Sequence, residues 1–197
     1  MAAKSVGRPR SFDEDVALRH ATALFWEKGY AATSLDDLLA AMGIARSSFY
    51  STFGSKQKVL WAALALYTDE LVGRMRAAAA AEPTPRRALA AVLAIAGCSV
   101  RPSQGCLFVN IATELAPTDA EVRRIAQDYL GEVDRLFTSL LRGCGFAARR
   151  ASSGSAALMA LTTGAVTLRK AGAPEARVRA MLDVAARMLD RETDREE

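Results

Sequence analysis

Gly29, Gly43 and Gly54 punctuate the first sixty residues of this chain, and their spacing constrains the fold more than any other feature. Between these breaks apolar residues recur at three- and four-residue intervals, the period of a helix. Ala17, Ala21, Leu24 and Phe25 line the first segment. Ser11 and Glu14 have the S-x-x-E spacing of a capping box ahead of it, and Gly29 suits a left-handed stop. "TSLDD" opens the second segment, with Thr33 predicted as its cap and Asp36 and Asp37 near its positive end. Leu35, Leu38, Leu39 and Met42 form its buried face, and Gly43 ends it. A third short helix is predicted from about Ala45 to Thr52. "GSK" at 54–56 breaks it and starts a longer helix through Trp61, Leu64 and Leu71. Residues 11–54 thus read as a compact three-helix unit.

The remaining chain, 55–197, also reads as helices. Of 197 residues, 51% are apolar and only 7% aromatic, with no series of β-branched strands, so the fold class is all-α with an ample core. Pro83 and Pro85 separate a helix of about 86–99 from its predecessor, and "RPSQG" at 101–105 is a turn. "CLFVNIATEL" is a helix stopped at Pro117. Thr118 and Glu121 again have capping-box spacing, opening a helix to about Arg142. After "RGCGF" a long helix of about 148–170 follows. Gly172 stops it, and Pro174 is a first-turn residue of the last helix.

Charge and cysteine content narrow the function classes. The net charge of +4 is mild, but Lys4, Arg8 and Arg10 precede any acid, so residues 1–10 read as a flexible basic arm. Cys98, Cys106 and Cys144 form no CxxC pair and His20 is the single histidine, so neither a metal site nor a cofactor is expected. The odd cysteine count and the lack of an apolar leader favour a cytoplasmic protein. The alanine-rich stretches fall short of the ~20 apolar residues that a membrane span needs. No nucleophile–base pair or phosphate loop supports an enzyme; His20, in "LRHATALF", suits a structural or solvent-facing role better than catalysis.

A helix, a tight turn at Gly43 and a second short helix make a helix-turn-helix arrangement. In such a unit one helix face packs inward while the other enters the major groove of DNA. Ile44, Phe49 and Phe53 suit packing. Arg46, Ser47, Ser48 and Tyr50 lie elsewhere on the helix wheel. Arginine pairs with guanine edges or phosphate, and serine hydroxyls meet several bases. Tyr50, Thr33 and Lys56 suit phosphate contacts, and the helix starts at Ser34 and Ser55 favour an anion. A short structural helix with its polar residues in water fits these local features as well, as does a helical interaction protein without DNA reading.

The run "SFDEDVALRHATALFWEKGYAATSLDDLLAAMGIARSSFYSTFGSKQKVL", about residues 11–60, resembles the DNA-binding domain of the TetR/AcrR transcriptional regulators. The resemblance rests on the "LFWEKGYAATS" join, the "LLAAMGIARSSFY" helix-turn-helix and "FGSKQKVL" at the start of the fourth helix. It implies a three-helix reader followed by a ligand-binding, dimerising bundle, about nine helices in all. It further implies a repressor released from a palindromic double-stranded operator by a small-molecule effector. The family's recognition helix falls on Ala45–Thr52, its phosphate contacts on Thr33, Tyr50 and Lys56, and its base contacts on Arg46, Ser47 and Ser48. "GRPR", with Arg8 and Arg10, resembles the arm that some relatives insert into the minor groove.

In the second half, the resemblance implies a homodimer through helices at about 148–170 and 174–190, doubling the base contacts on a two-fold site. Ala156, Ala157, Ala160, Gly164 and Ala165 would let helices approach closely. The effector pocket is expected inside the bundle, with Trp61, Leu64, Tyr67, Cys106, Phe108, Asn110, Ile111 and Met159 as candidates. Asn110, an amide amid "CLFVNIATEL", needs a partner if buried. "GCLFVNIATELAP" resembles a stretch in one branch of the family, which includes members sensing electrophiles or oxidants through a cysteine. Cys106 stands at the helix end that favours an anion, and Arg169 or Lys170 would strengthen that effect if the fold brought them near. A small buried hydrophobe is the other reading of this thiol.

Overall fold

A computed structural model describes residues 12–97 and 102–190; for Pro102 and for 184–190 it describes the backbone alone. Arg8, Arg10, Ser11 and Cys98 lie outside these residues. The described chain is all-α, with nine α-helices and a single 3-10 turn at Pro102–Gln104. It divides into two compact units, Met1–Ala63 and Leu64–Glu197.

The first unit holds α1 (Glu14–Lys28), α2 (Leu35–Met42), α3 (Arg46–Thr52) and the start of α4 (Lys56–Ala80). Its termini are chemically explicit. Asp13, not Ser11, caps α1, accepting from the backbone N–H groups of Asp15 at 2.9 Å and Val16 at 3.2 Å. Ser34, not Thr33, caps α2 through a reciprocal box: its hydroxyl accepts from the Asp37 N–H, and the Asp37 carboxylate accepts from the Ser34 N–H. In both cases the residue directly before the first helical turn has the extended backbone that a cap requires, which spacing alone did not distinguish from its neighbour. Gly43 adopts φ 66, ψ 32, and this left-handed corner turns the chain from α2 toward α3. Ala17, Ala21, Phe25, Leu38, Met42, Ile44 and Phe49 form the core. Phe53 is only half-buried, 6.0 Å from Phe49 and 6.4 Å from Phe12, centroid to centroid.

The second unit holds the rest of α4, α5 (Pro85–Ala96), α6 (Leu107–Leu115), α7 (Ala120–Gly143), α8 (Ala148–Lys170) and α9 (Glu175–Asp190). Thr84 caps α5 with Pro85 in its first turn, where the missing N–H costs nothing. Asp119, not Thr118, caps α7, because its carboxylate reaches the N–H groups of Glu121 and Val122; the Thr118 hydroxyl instead donates back to the Leu115 carbonyl. Helix α7 packs on α5, α6 and α8, and α8 packs on α9. The core runs through Leu71, Met75, Val92, Val133, Phe137, Leu141 and Leu158.

Two polar ties fix the outer helices. The Ser155 hydroxyl donates to the Asp134 carboxylate at 2.6 Å, joining α8 to α7. Arg169, 7% exposed, grips the Glu175 carboxylate with two N–H groups at 2.6 and 2.9 Å and also donates to the Gly97 carbonyl. That one guanidinium gathers the ends of α5 and α8 and the start of α9.

Candidate nucleic-acid interface and effector clefts

Helix α3 separates its two faces sharply. Phe49 is fully buried, while Arg46, Ser47 and Tyr50 are exposed and Ser48 is half-buried. Tyr50, 51% exposed, is propped by an edge contact with Phe49, centroids 5.6 Å apart, so a core ring sets the direction of a surface ring. The Ser48 carbonyl accepts from the Ser51 hydroxyl, leaving the Ser48 hydroxyl outside that bond. Arg46 forms an ion pair with Asp36 of α2.

The flanking residues differ in availability. Lys56 lies with Nζ 4.3 Å from the centroid of the Tyr30 ring, a cation–π contact that steadies a flexible side chain. Ser34 is exposed at the start of α2, but Thr33 is 1% exposed and its hydroxyl donates to the Gly29 carbonyl at 2.7 Å. The Thr33 hydroxyl, expected to meet a phosphate, closes the α1–α2 turn in this conformation. The α2 cap is in turn electrostatically reinforced. The hydrogen bond from Lys28 (2.8 Å), followed by that from the Ser34 N–H, holds the Asp37 carboxyl well below the usual carboxylate range. Tyr30, which steadies Lys56, was not singled out in the sequence, and Asp36, which meets Arg46, was read there only as an acid near the positive end of the second helix.

In the second unit the effector candidates scatter. Trp61 is half-buried and belongs to the first unit, whereas Leu64 and Ile111 are fully enclosed core. Cys106, Phe108 and Met159 do come together, lining a crevice of about 30 Å³ with Tyr129, Val133 and Thr162. Cys106 stands at the residue before α6 without capping it through its side chain, and its Sγ lies 3.3 Å from the Tyr67 hydroxyl. The Phe108 and Tyr129 rings pack at 4.3 Å. Burial, and then the neighbouring Cys106 sulfur, push the phenols of Tyr67 and Tyr129 above the usual tyrosine range.

Asn110 has the partners its position demanded. Its Nδ2 donates to the Gln104 carbonyl and its Oδ1 accepts from Lys170 Nζ, both at 2.8 Å. Lys170 and Arg169 are thus described with Asn110, and with Glu175 and Gly97, rather than with Cys106. Gly105 has φ +69, and a Cβ there would meet Lys170 Cδ at 3.0 Å, so the glycine before Cys106 serves both the turn and the lysine's passage.

A larger cleft of about 560 Å³ lies between α4 and α7, with Val72, Ile125 and Tyr129 beside Asp69, Arg76 and Arg124. It contains none of the candidates named from sequence, but Tyr129 lines both it and the Cys106 crevice. Tyr129 was missed: the spacing Val122, Ile125, Tyr129, Val133 puts it on the buried face of α7, yet nothing in that period says what it meets. On α8, Ala156, Ala157 and Ala160 are exposed and Gly164 is half-buried, whereas Ala165 is fully buried in its own protomer and so leaves that face. Among the described residues, no three His, Cys, Asp or Glu groups are placed to hold a metal, and no helix is long and apolar enough to cross a membrane.

A short helix presenting a polar face over a buried aromatic, set by a left-handed glycine corner against a capped neighbour, defines a helix-turn-helix transcriptional regulator. Comparison with known proteins specifies which. Residues 17–63 match the model of bacterial regulatory proteins of the tetR family, and residues 85–188 match the C-terminal domain of LmrA/YxaF-like transcriptional regulators. The chain belongs to the TetR family.

Among its relatives, the HTH-type transcriptional repressor ComR of Escherichia coli (strain K12) is 38% identical over 123 residues, which span 60% of this chain and 59% of ComR. The uncharacterized HTH-type transcriptional regulator YezE of Bacillus subtilis (strain 168) is 30% identical over 70% of this chain and 73% of YezE. A cysteine-substituted form of the TetR-family regulator CifR, complexed with 26-base-pair operator DNA, superposes with a TM-score of 0.78. It is 31% identical, covering 91% of this chain and 98% of CifR.

Proposed function

We propose that this regulator is a cytoplasmic homodimer and not an enzyme, that it represses transcription from a palindromic operator, and that a small molecule bound in the second unit releases it. The observation that carries the reading is the exposed face of α3, Arg46, Ser47 and Tyr50 around buried Phe49, on a chain whose relative CifR has been seen with operator DNA. In this reading Arg46, Ser47 and Ser48 meet base edges, while Ser34, Tyr50 and Lys56 meet phosphates and set the register. Arg8 and Arg10 reach the minor groove.

The exposed stripe of Ala156, Ala157 and Ala160 on α8, together with α9, supports the dimer, since small side chains permit close helix approach. Two readers would then address half-sites about 10 base pairs apart or a multiple of that. The effector acts by binding one reader spacing better than the other, a shift of population that requires differential affinity. Selection of duplexes from a random pool by the purified protein, followed by gel-shift titration, tests the reading. Enrichment of a palindrome is expected, and an absence of any enriched sequence would sink it. Ala160→Glu is expected to halve the mass measured by light scattering; an unchanged mass removes the α8 face from the interface.

One observation favours a second reading of the trigger. Cys106 shares its crevice with the half-buried phenol of Tyr129, and its sulfur lies within hydrogen-bonding distance of the half-buried Tyr67 hydroxyl. In this reading an oxidant or electrophile that modifies Cys106 releases the operator. Replacement by serine separates the two triggers: release by oxidant is lost if the thiol is the sensor and unchanged if it is a packing residue.

A further inference from the structure

Helix α2 carries two adjacent aspartates, and the structure gives them different work. Asp37 closes the capping box with Ser34 and binds Lys28, so the start of α2 is satisfied without help. Asp36 takes no part in that box. Its Oδ1 instead accepts from Arg46 Nη2 across the turn, and its side chain is 80% exposed. An exposed carboxylate beside a DNA-reading helix opposes the phosphates that approach it. Its placement calls for a return in binding.

That return is orientation. An arginine side chain is long, and ordering it on binding costs rotamer entropy. Arg46 is the first residue of α3, and its side chain is 56% exposed. Asp36 occupies one Nη2 hydrogen of five guanidinium N–H groups, leaving the other edge of the fork free for bidentate contact with a guanine. The pair therefore survives docking at the correct base. At a wrong base the guanidinium can swing to a phosphate only by abandoning Asp36, which then faces the backbone unpaired.

We propose that Asp36 is a positioning residue for DNA reading: it pre-orients Arg46 and penalises non-specific docking, so that it trades affinity for discrimination. This rests on the assignment of Arg46 as a base reader. It does not follow from that assignment, since an unpaired Arg46 would read bases too.

The test compares full-length wild type, Asp36→Asn, Asp36→Ala, Arg46→Ala and the Asp36→Ala/Arg46→Ala double variant. Each is titrated against a duplex that the wild type selected from a random pool and against a scrambled duplex of equal length and composition. Removing the Asp36 charge is expected to tighten scrambled-duplex binding by roughly two- to fivefold, the range an exposed ion pair supports. Affinity for the selected duplex is expected to stay level or fall, so their ratio drops. In the Arg46→Ala background the same change is expected to leave the ratio alone.

An equal gain on both duplexes while Arg46 is present overturns the proposal, because Asp36 would then be a plain repulsive charge. A ratio that falls equally with and without Arg46 also overturns it. Thermal melting is expected to shift in Asp36→Asn without tracking the ratio; a ratio that follows the melting temperature across the set assigns Asp36 to helix stability instead. If the wild type distinguishes no duplex at all, the reading of α3 as a DNA-recognition helix fails first.

Discussion

The two units place their polar chemistry in opposite ways. In the first, the candidate functional groups stand on the outside of a short helix and are steadied from below: Tyr50 by Phe49, Lys56 by Tyr30, Arg46 by Asp36. In the second, the notable polar groups are turned inward and closed on one another: Arg169 on Glu175 and Gly97, Ser155 on Asp134, Asn110 between Gln104 and Lys170. A surface that must meet a charged polymer keeps donors exposed and spends its aromatic residues on aiming them. A bundle that must hold one shape closes its buried donors on internal acceptors, because an unpaired one is costly; the buried Thr138 hydroxyl of α7 is an exception.

Substitutions sharpen this contrast, and the largest effect is expected where a core ring supports the reading face. Phe49→Ala removes a fully buried ring from the small first unit, at a cost of about 3–5 kcal/mol. Loss of α-helical signal at a lower temperature together with loss of operator binding is expected by circular dichroism and gel shift. Retained binding would mean that the reading face does not depend on this ring.

Arg169→Ala comes next. It leaves the Gly97 carbonyl without its donor, at about 1–3 kcal/mol. The pH dependence is diagnostic. Arg169, and chiefly its hydrogen bonds, holds the Glu175 carboxyl below the usual glutamate range. A depressed folded-state pKa contributes stability that is present above the unfolded glutamate pKa and lost as pH falls through the folded value. The gap in melting temperature between wild type and Arg169→Ala is expected to narrow on acidification but not to close, since the carbonyl contact does not titrate. A gap that widens in acid would contradict the assigned pair.

Asn110→Ala removes two hydrogen bonds at the start of α6, both partly open to water, and is expected to cost about 0.5–1.5 kcal/mol in a denaturant titration. Operator affinity without effector should be unchanged, as its role is internal to the second unit.

The smallest effect on stability belongs to Lys56→Ala, which loses a cation–π contact of about 0.5–1 kcal/mol. Its larger effect falls on binding. Affinity is expected to weaken evenly across sequences, and the slope of log affinity against log salt to shrink by about one, the signature of a lost phosphate contact. A changed sequence preference would instead make Lys56 a base reader.

The helices were legible because glycine, proline and apolar periodicity act locally. Gly29, Gly43 and Gly54 each have positive φ, and a residue with a Cβ resists that geometry wherever it occurs. The caps were harder. Thr33 and Ser34 are both good caps, as are Thr118 and Asp119, and the choice turns on which one takes the extended backbone beside the helix. The face of α3 was legible to the same degree as its period, with Phe49 inward and Tyr50 outward. The sequence left the use of Asp36 open, since one aspartate near a helix start looks like the next.

The second unit marks where local reading ends. Eight pocket candidates were chosen on α4, α6 and α8 for being apolar or chemically distinctive, and three of them share the Cys106 crevice. Helical period says which side of a helix is buried but not which helix covers it, because that depends on crossings between segments far apart in the chain. Tyr129 became part of a site only when α7 met both α4 and α6.

By itself the sequence determined an all-α chain, the order of its helices, and a recognition segment whose polar and apolar residues alternate at the helical period. These follow from backbone sterics and from burial, which act within a few residues. Only the tertiary structure decided that Thr33 faces inward, that Asp36 meets Arg46, that Lys170 binds Asn110, and that one tyrosine borders two cavities. Each of those is a contact across a turn or between helices, and its geometry exists only once the helices have packed.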